Sequence, residues 1–270
     1  MSQNPKTPAV ARPASTVVIL RDGADGIEVF MVVRHHAIEF ASGALVFPGG
    51  KVDPGDSDPA WADLAAIDAP AQRANIVAAA RETFEEAGLV LARKRGTQRM
   101  IEAQEAHDLV ERYRGPILAG TRPFRDVIAG EGLLLATDLM VPFAHWITPE
   151  GLPKRFDTYF YLVAAPVDQL GAHDGAESVE GLWITPQQAL RDAEVGSRTL
   201  VFATQMNLVK LARYRTVADA VAASRATTIV TVMPTFERTA TSTTYHIPEA
   251  AGYGVSQVTV AKPLGGPKTS

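Results

Sequence analysis

Cysteine is absent from this chain of 270 residues. Its absence excludes disulfides, thiolate catalysis and zinc sites built on cysteine. A surplus of positive charge is missing too. Lys and Arg number 26 against 30 Asp and Glu, the formal net charge is −4, and no long basic run occurs. Binding to nucleic acid polymers without regard to sequence needs clustered Lys and Arg, so no such partner is expected. The same balance says nothing against a nucleotide-sized anion held by a metal ion and a few basic groups. Apolar runs of the ~20 residues needed to span a bilayer are also lacking. Residues 1–16 are polar, hold three prolines and have no apolar stretch of signal-peptide type. The last residues, Lys268, Thr269 and Ser270, differ from a peroxisomal Ser-Lys-Leu ending. The expectation is a cytoplasmic protein with no membrane partner.

What is present suits a globular chain. Hydrophobic residues make up 46% and charged ones 21%, ordinary values for a packed domain. The length allows one good core with elaborations. Residues 1–14 read as a flexible tail and 15–270 as a single domain without internal repeats. Strands are expected at 16–20 and 27–33, joined by a hairpin loop, and at 44–47, where Pro48-Gly49-Gly50 stops the run. Further strands are expected at 89–92, 139–147, 155–164 and 182–184, and two more at 227–232 and 243–246. Helices are expected at 70–87, 100–113, 122–130, 185–192, 199–213 and 217–224. Strands interleaved with helices give an α+β sandwich, a mixed β-sheet between helical layers. Residues 187–270 read as a helical C-terminal extension packed on that core.

The most informative stretch is Arg81-Glu82-Thr83-Phe84-Glu85-Glu86-Ala87-Gly88-Leu89. At about 100° per residue, Glu82, Glu85 and Glu86 share one narrow arc of a helix. Ile76, Val77, Ala80, Phe84 and Ala87 cluster on the opposite side. Asp68 can cap the start of this helix, Pro70 suits its first turn and Gly88 its left-handed exit. Glutamates are poorly placed at the C-terminal end, where the macrodipole costs each about 0.3–1 kcal/mol. They also repel one another. A divalent cation is the natural compensation, and hard oxygen ligands suit magnesium or manganese.

These residues resemble the second half of the Nudix box, G-x5-E-x7-R-E-U-x-E-E-x-G-U, with U apolar. The first half is visible in Val46-Phe47-Pro48-Gly49-Gly50-Lys51-Val52-Asp53-Pro54-Gly55-Asp56, where Gly50 would be the first glycine. Asp56 stands where the pattern has Glu, and Thr83 where it has an apolar residue. Residues 57–80 separate Asp56 from Arg81, an insertion of 17 relative to the pattern. It precedes the helix and leaves the spacing of the carboxylates intact, but it puts the role of Asp56 in question. The stretches 151–160 and 177–186 resemble a subgroup of coenzyme A diphosphatases with an interrupted box. The resemblance runs from about Ser15 to Tyr253.

The resemblance implies a Nudix-type α/β/α sandwich and metal-dependent hydrolysis of a nucleoside diphosphate linked to another group X, with coenzyme A or an acyl-coenzyme A as X-bearing substrate. Metal ligands would be Glu82, Glu85 and Glu86, with a backbone carbonyl at Gly49, where glycine lets the chain come close. Glu82 or a carboxylate of a later loop would take the proton of the attacking water. Glu177 is the first choice in that loop and Glu180 its competitor. Arg81 lies one helical turn before Glu85 and would orient it. Arg34, Lys51, Lys154 and Arg155 could hold phosphates, although Arg155 could equally bridge to Asp157 on the same strand face. His35 and His36 point to opposite strand faces and do not make a ligand pair. His145 is expected as a packed residue. Trp61, Trp146 and Tyr253 could stack on a base, but such residues are more often core. Dimers are common in this family, so a homodimer is within expectation. A competing reading is a Nudix-fold nucleotide sensor, which would tolerate erosion of the acids and need a basic DNA-reading domain; a remoter one is an isomerase on the same fold.

Overall fold

The computed structural model describes residues 9–33, 44–67, 70–166, 169 and 181–261. Its spine is β1 (Arg12–Gly23). Val17, Val18, Ile19 and Leu20 are all fully buried, as in a strand covered on both faces. A two-residue turn leads into β2 (Gly26–Val33), which pairs antiparallel with the end of β1 from Leu20↔Val29 to Gly23↔Gly26. The two strands then part, and β3 (Ala44–Val46) and β4 (Gly49–Lys51) fill the gap. β3 takes the edge of β2 and β4 takes the edge of β1, with Ser15 opposite Gly50 and Thr16 opposite Gly49. The expected stop at Pro48 is therefore only a bend. The Pro48 carbonyl accepts the Val17 amide at 2.8 Å, and the two glycines continue as a strand inside the sheet.

A short helix α1 (Trp61–Leu64) lies in the box insertion. A 3-10 turn at Pro70–Gln72 runs into α2 (Arg73–Ala87), and Gly88 ends it at φ 62° in the left-handed region. Asp68, the expected cap, lies outside the described residues. Residues 89–91 are buried but form no strand. Instead the Val90 amide donates to Gln169 Oε1 at 2.9 Å, and Gln169 Nε2 donates to the Val90 carbonyl at 3.1 Å. The strand comes later, as β5 (Ala92–Lys94). Next are α3 (Ala103–Leu118), α4 (Phe124–Gly130) and β6 (Leu133–Leu135), the partner of β5. β7 (Val141–Ile147) and β8 (Phe156–Ala164) form an antiparallel pair, and β8 runs parallel to β1 along Arg12↔Phe156 to Leu20↔Ala164.

The chain continues through β9 (Gly181–Ile184), α5 (Pro186–Glu194), β10 (Thr199–Leu200), α6 (Phe202–Leu211) and α7 (Val217–Ala226). β11 (Thr231–Val232) then joins the main sheet beside β7. The C-terminal extension was expected to be helical with strands at 227–232 and 243–246. It carries a separate antiparallel sheet of β12 (Thr235–Arg238), β13 (Ser242–His246) and β14 (Gln257–Ala261), and β11 and β13 fall within or on the expected spans.

Alternation along the strands creates two cores. Val17, Ile19, Tyr161 and Val163 face α2, where Val77, Ala80 and Phe84 are buried with them. Val18, Leu20, Phe160 and Leu162 face Met206, Leu208 and Leu211 of α6 and Val217 and Ala220 of α7. The result is the expected α/β/α sandwich with a mixed sheet. Each of these large side chains contributes about 1.5–3 kcal/mol by leaving water. The extension is locked to the sheet by a buried relay, in which Trp146 Nε1 donates to Tyr253 Oη at 2.8 Å and Tyr253 donates to Asn207 Oδ1 at 2.9 Å. Among the described residues, no helix is long and apolar enough to cross a membrane.

Candidate active site

The last turns of α2 bring the three glutamates against β4. At the centre is Arg81, whose side chain is 9% exposed. Its Nε and Nη2 grip Asp56 at 3.0 and 2.9 Å, a two-pronged pair. Nη1 donates to Glu82 at 2.9 Å and to Glu85 at 3.2 Å, and Nη2 also reaches the Lys51 carbonyl at 3.0 Å. Arg81 was expected to orient Glu85, and the 3.2 Å bond between them is there. It also ties the opening loop of the box to the helix, and its two closest prongs go to Glu82 and Asp56. The insertion has not displaced Asp56, which is buried and also accepts the Asp53 amide at 2.8 Å. Trp61 fixes the same loop by donating from Nε1 to the Gly55 carbonyl at 2.8 Å.

Glu86 is held from the strand side, where the Gly49 amide donates to its Oε2 at 2.9 Å. Gly50 makes room for an acid. A Cβ there would lie 2.2 Å from Glu82 Oε1, so the bare backbone is what admits the carboxylate. The exposed C-terminal carbonyls of α2 are partly satisfied by Arg114, which donates from Nε to the Glu85 carbonyl at 2.6 Å. Thr83 fits its apolar position because its hydroxyl is turned onto the Ala79 carbonyl at 2.8 Å.

Three carboxylates share one guanidinium, and the electrostatics reflect the shortage of positive charge. Burial, opposed by Arg81 and reinforced by Glu86 and Glu85, pushes the Glu82 carboxyl up to about 7. Burial also raises Glu85, against the pull of Arg81. For Arg81, burial alone would lower the pKa, but Asp56, Glu82 and Glu85 more than reverse it. Glu82 faces Arg81 and Glu86 faces the Gly49 amide, and among the described residues no three acidic or histidine side chains converge as a finished ligand cage. The donor set nevertheless fits a divalent ion. It offers hard carboxylate oxygens and a close glycine backbone, around a buried acid that lacks a full counter-charge.

The other expected site residues divide into groups. Lys51 is exposed on β4, next to the cluster. Lys154 is exposed at the head of β8. Arg155 must be corrected. It is buried, with its nitrogens engaged on the Thr148 carbonyl at 3.0 Å, the Ala9 carbonyl at 2.9 Å and Met233 Sδ at 3.6 Å, so it neither presents itself to a phosphate nor bridges to Asp157. Asp157 pairs with His145 Nε2 at 2.5 Å. Trp61 and Tyr253 are core residues rather than stacking platforms. Arg34, His35, His36, Glu177 and Glu180 lie outside the described residues. Reading the sequence missed Arg114, one of two arginines on α3 with nothing in its spacing to single it out. It also missed Phe202 and Tyr245. These aromatics of the extension line a cavity of about 280 Å³ that opens beside Gly49 and is otherwise walled by Phe47, Trp146 and Phe160.

The family model of the NUDT19 Nudix domain matches residues 68–200. Putative nudix hydrolase 7 of Caenorhabditis elegans is 32% identical over 174 residues, which are 64% of this chain and 51% of that protein. An acyl-coenzyme A diphosphatase of Xenopus laevis is 22% identical over 206 residues, 61% of this chain and 54% of the relative. The chain thus spans about half the length of the curated relatives it matches. The crystal structure of a Nudix hydrolase from Alicyclobacillus acidocaldarius superposes with a TM-score of 0.61 at 27% identity, over 79% of this chain and 96% of that one. With the box residues gathered at one end of α2 and these likenesses in both sequence and fold, the chain belongs to the Nudix hydrolase superfamily.

Proposed function

We propose that this protein is a metal-dependent diphosphatase that cleaves a nucleoside diphosphate linked to X, with coenzyme A or an acyl-coenzyme A as the substrate. The observation that carries the reading is the Arg81–Asp56 clamp, which holds Glu82 and Glu85 beside Glu86 at the close glycine strand. Nudix hydrolases as a group use divalent metal ions. The ligand atoms here would be the carboxylates of Glu82, Glu85 and Glu86 and the Gly49 carbonyl. A bound ion would neutralise phosphate charge and acidify a water.

The protein's own groups account for the rest of the chemistry. Water attacks one phosphorus, the bond to the bridging oxygen breaks, and two phosphate monoesters leave. Glu82, or a carboxylate of a later loop, would accept the proton of that water; Glu82 is held for that task or for ligating the ion by Arg81 Nη1 at 2.9 Å. Arg81 touches no substrate and acts as a positioning residue. Lys51 and Lys154 supply positive charge for the phosphates. The coenzyme A assignment draws on the interrupted box, the NUDT19-type family match and the name of the Xenopus laevis relative.

The test is incubation with magnesium and a panel of coenzyme A, acyl-coenzyme A, NADH, ADP-ribose, nucleotide sugars and dinucleoside polyphosphates. Release of 3′,5′-ADP from coenzyme A supports the full reading. Cleavage of another member alone keeps the metal site and discards coenzyme A. No cleavage of any member, with a thermal shift from one of them, replaces the enzyme by a nucleotide sensor.

A further inference from the structure

The 280 Å³ cavity beside Gly49 has a definite chemical character. Phe47, Trp146 and Phe160 of the central sheet region make one wall. The other wall comes from the extension, where Phe202 and Tyr245 stack with centroids 4.2 Å apart and planes 16° from parallel. Trp146 meets Phe202 edge-on at 5.8 Å. Among the described residues, none lining the cavity carries a charge or a side-chain amide, and the polar side chains are threonines and the Tyr245 hydroxyl. On the side of Arg81 and Glu85 lies a different cavity, of about 340 Å³, whose charged lining is Arg81, Arg122 and Arg125 with Asp53, Asp56, Asp58 and Glu85. The carboxylate cluster therefore has an apolar hollow at Gly49 and a charged one at Glu85.

We propose that Phe202 and Tyr245 are specificity-determining residues that receive the uncharged arm of the substrate, which in a coenzyme A is the pantetheine arm, through its dimethyl and methylene carbons. This rests on the diphosphatase reading and gives the substrate a direction across the site. A phosphorylated nucleoside entering the apolar hollow would lose the hydration of its phosphate with no cation in the lining to replace it. The branched and methylene carbons next to the diphosphate in the pantetheine arm gain by leaving water there. The hollow at Glu85 does not decide the direction, since Arg125 there is already bonded to Asp58 and Asp126; the uncharged lining at Gly49 does. The extension thereby builds half of the substrate pocket.

The two products of coenzyme A cleavage, 4′-phosphopantetheine and 3′,5′-ADP, separate the two ends. Their affinities are measured by calorimetry on the full chain with magnesium, for the unaltered protein and for Phe202→Ala, Tyr245→Ala and Ala203→Trp. The last variant fills the hollow from the first turn of α6 and serves if the truncations fail to fold in a thermal melt. Each variant is expected to weaken 4′-phosphopantetheine by about tenfold or more, the scale of losing a central aromatic contact, and to leave 3′,5′-ADP within about twofold. The KM for coenzyme A should rise by a similar factor with kcat retained. Weakening of 3′,5′-ADP instead, or of neither product, overturns the proposal even if coenzyme A is cleaved. An unaltered protein that cleaves no coenzyme A, yet binds 4′-phosphopantetheine through Phe202, upholds the pocket and removes the diphosphatase reading.

Discussion

Arg81 is the residue on which this site should depend most, and a double-mutant cycle with Asp56 measures how much. Their side chains are 9% and 3% exposed and share two hydrogen bonds of 3.0 and 2.9 Å. Removing one member of a buried pair strands the other charge and costs about 3–5 kcal/mol. Asp56→Ala belongs at the lower end, because the guanidinium keeps Glu82, Glu85 and the Lys51 carbonyl. Arg81→Ala belongs at the upper end, because it leaves three carboxylates facing one another. For a chain of this size about 1 kcal/mol moves Tm by roughly 2–4 °C. Arg81→Ala should therefore lower Tm by about 10–20 °C and Asp56→Ala by about 6–12 °C. The double variant should lose about 0.5–3 kcal/mol less than the sum, because no partner is left stranded. Arg81→Lys should fall between, since one ammonium cannot meet the fork of acceptors around it. Thermal unfolding followed by circular dichroism in EDTA is the assay. Strict additivity, or an Arg81→Ala protein melting within 2 °C of the parent, would refute the clamp.

Three further expectations come from the same geometry. A Cβ on Gly50 meets the mobile end of Glu82 at 2.2 Å, whereas one on Gly49 meets the Ser15 carbonyl at 2.5 Å and Thr16 Cα at 2.8 Å; Gly50→Ala should fold well and lose most activity, while Gly49→Ala should also lose stability, and the reverse ranking in melts and turnover would contradict the register. Glu86→Gln keeps shape and removes a ligand charge, so turnover should drop by orders of magnitude at an unchanged Tm, and near-normal turnover would sink the ligand assignment. In metal-free protein the Glu82 carboxyl titrates near 7 when folded against its ordinary 4.5. Below about 4.5 it is protonated in both states, and between 4.5 and 7 only the unfolded chain loses the proton. Stability in EDTA should thus fall as pH rises through that window, by about 3 kcal/mol in all. Denaturant melts at several pH values read this slope, and Glu82→Gln should flatten it; an unchanged slope in that variant would place the titration elsewhere.

How much of this could be read from the sequence depended on the distance along the chain over which each contact is made. The carboxylate face of α2 was legible because helical spacing alone puts Glu82, Glu85 and Glu86 together, and the left-handed exit at Gly88 needed only a glycine in the right place. The Asp56–Arg81 bond was not legible, because it closes 25 residues of chain. The same limit hid the fate of Arg155, whose partner at Ala9 is 146 residues away. Gly49 and Gly50 read as a turn because glycine is poor in isolated strands. Here the neighbouring β1 and the nearby Glu82 supply the reason for glycine, and neither is local. Residues 89–91 read as a strand from their apolar run, yet a side chain, Gln169, provides the hydrogen bonds that a neighbouring strand would have given. Phe202 and Tyr245 carried no signal at all, since each looks like an ordinary core aromatic until the extension folds over Gly49.

The interrupted box raises the question of how a loop lengthened by 17 residues keeps Asp56 within reach of Arg81. The entropy of a longer loop grows only with the logarithm of its length, so going from seven to 24 residues costs about 1 kcal/mol. One buried side chain of the insertion can offset that. Trp61 is 1% exposed, rests on Phe124 at 5.9 Å, and Phe124 rests on Phe84 of α2 at 5.6 Å. Its indole N–H also fixes the Gly55 carbonyl, one residue from Asp56. The insertion is thus anchored to the same helix that carries the glutamates, and its anchor holds the acidic loop one residue before Asp56. Burying a tryptophan is worth more than the added loop loses. The spacing between the two halves of the box is therefore free to vary, whereas the spacing within the helical half is not, because it alone sets the three carboxylates on one face.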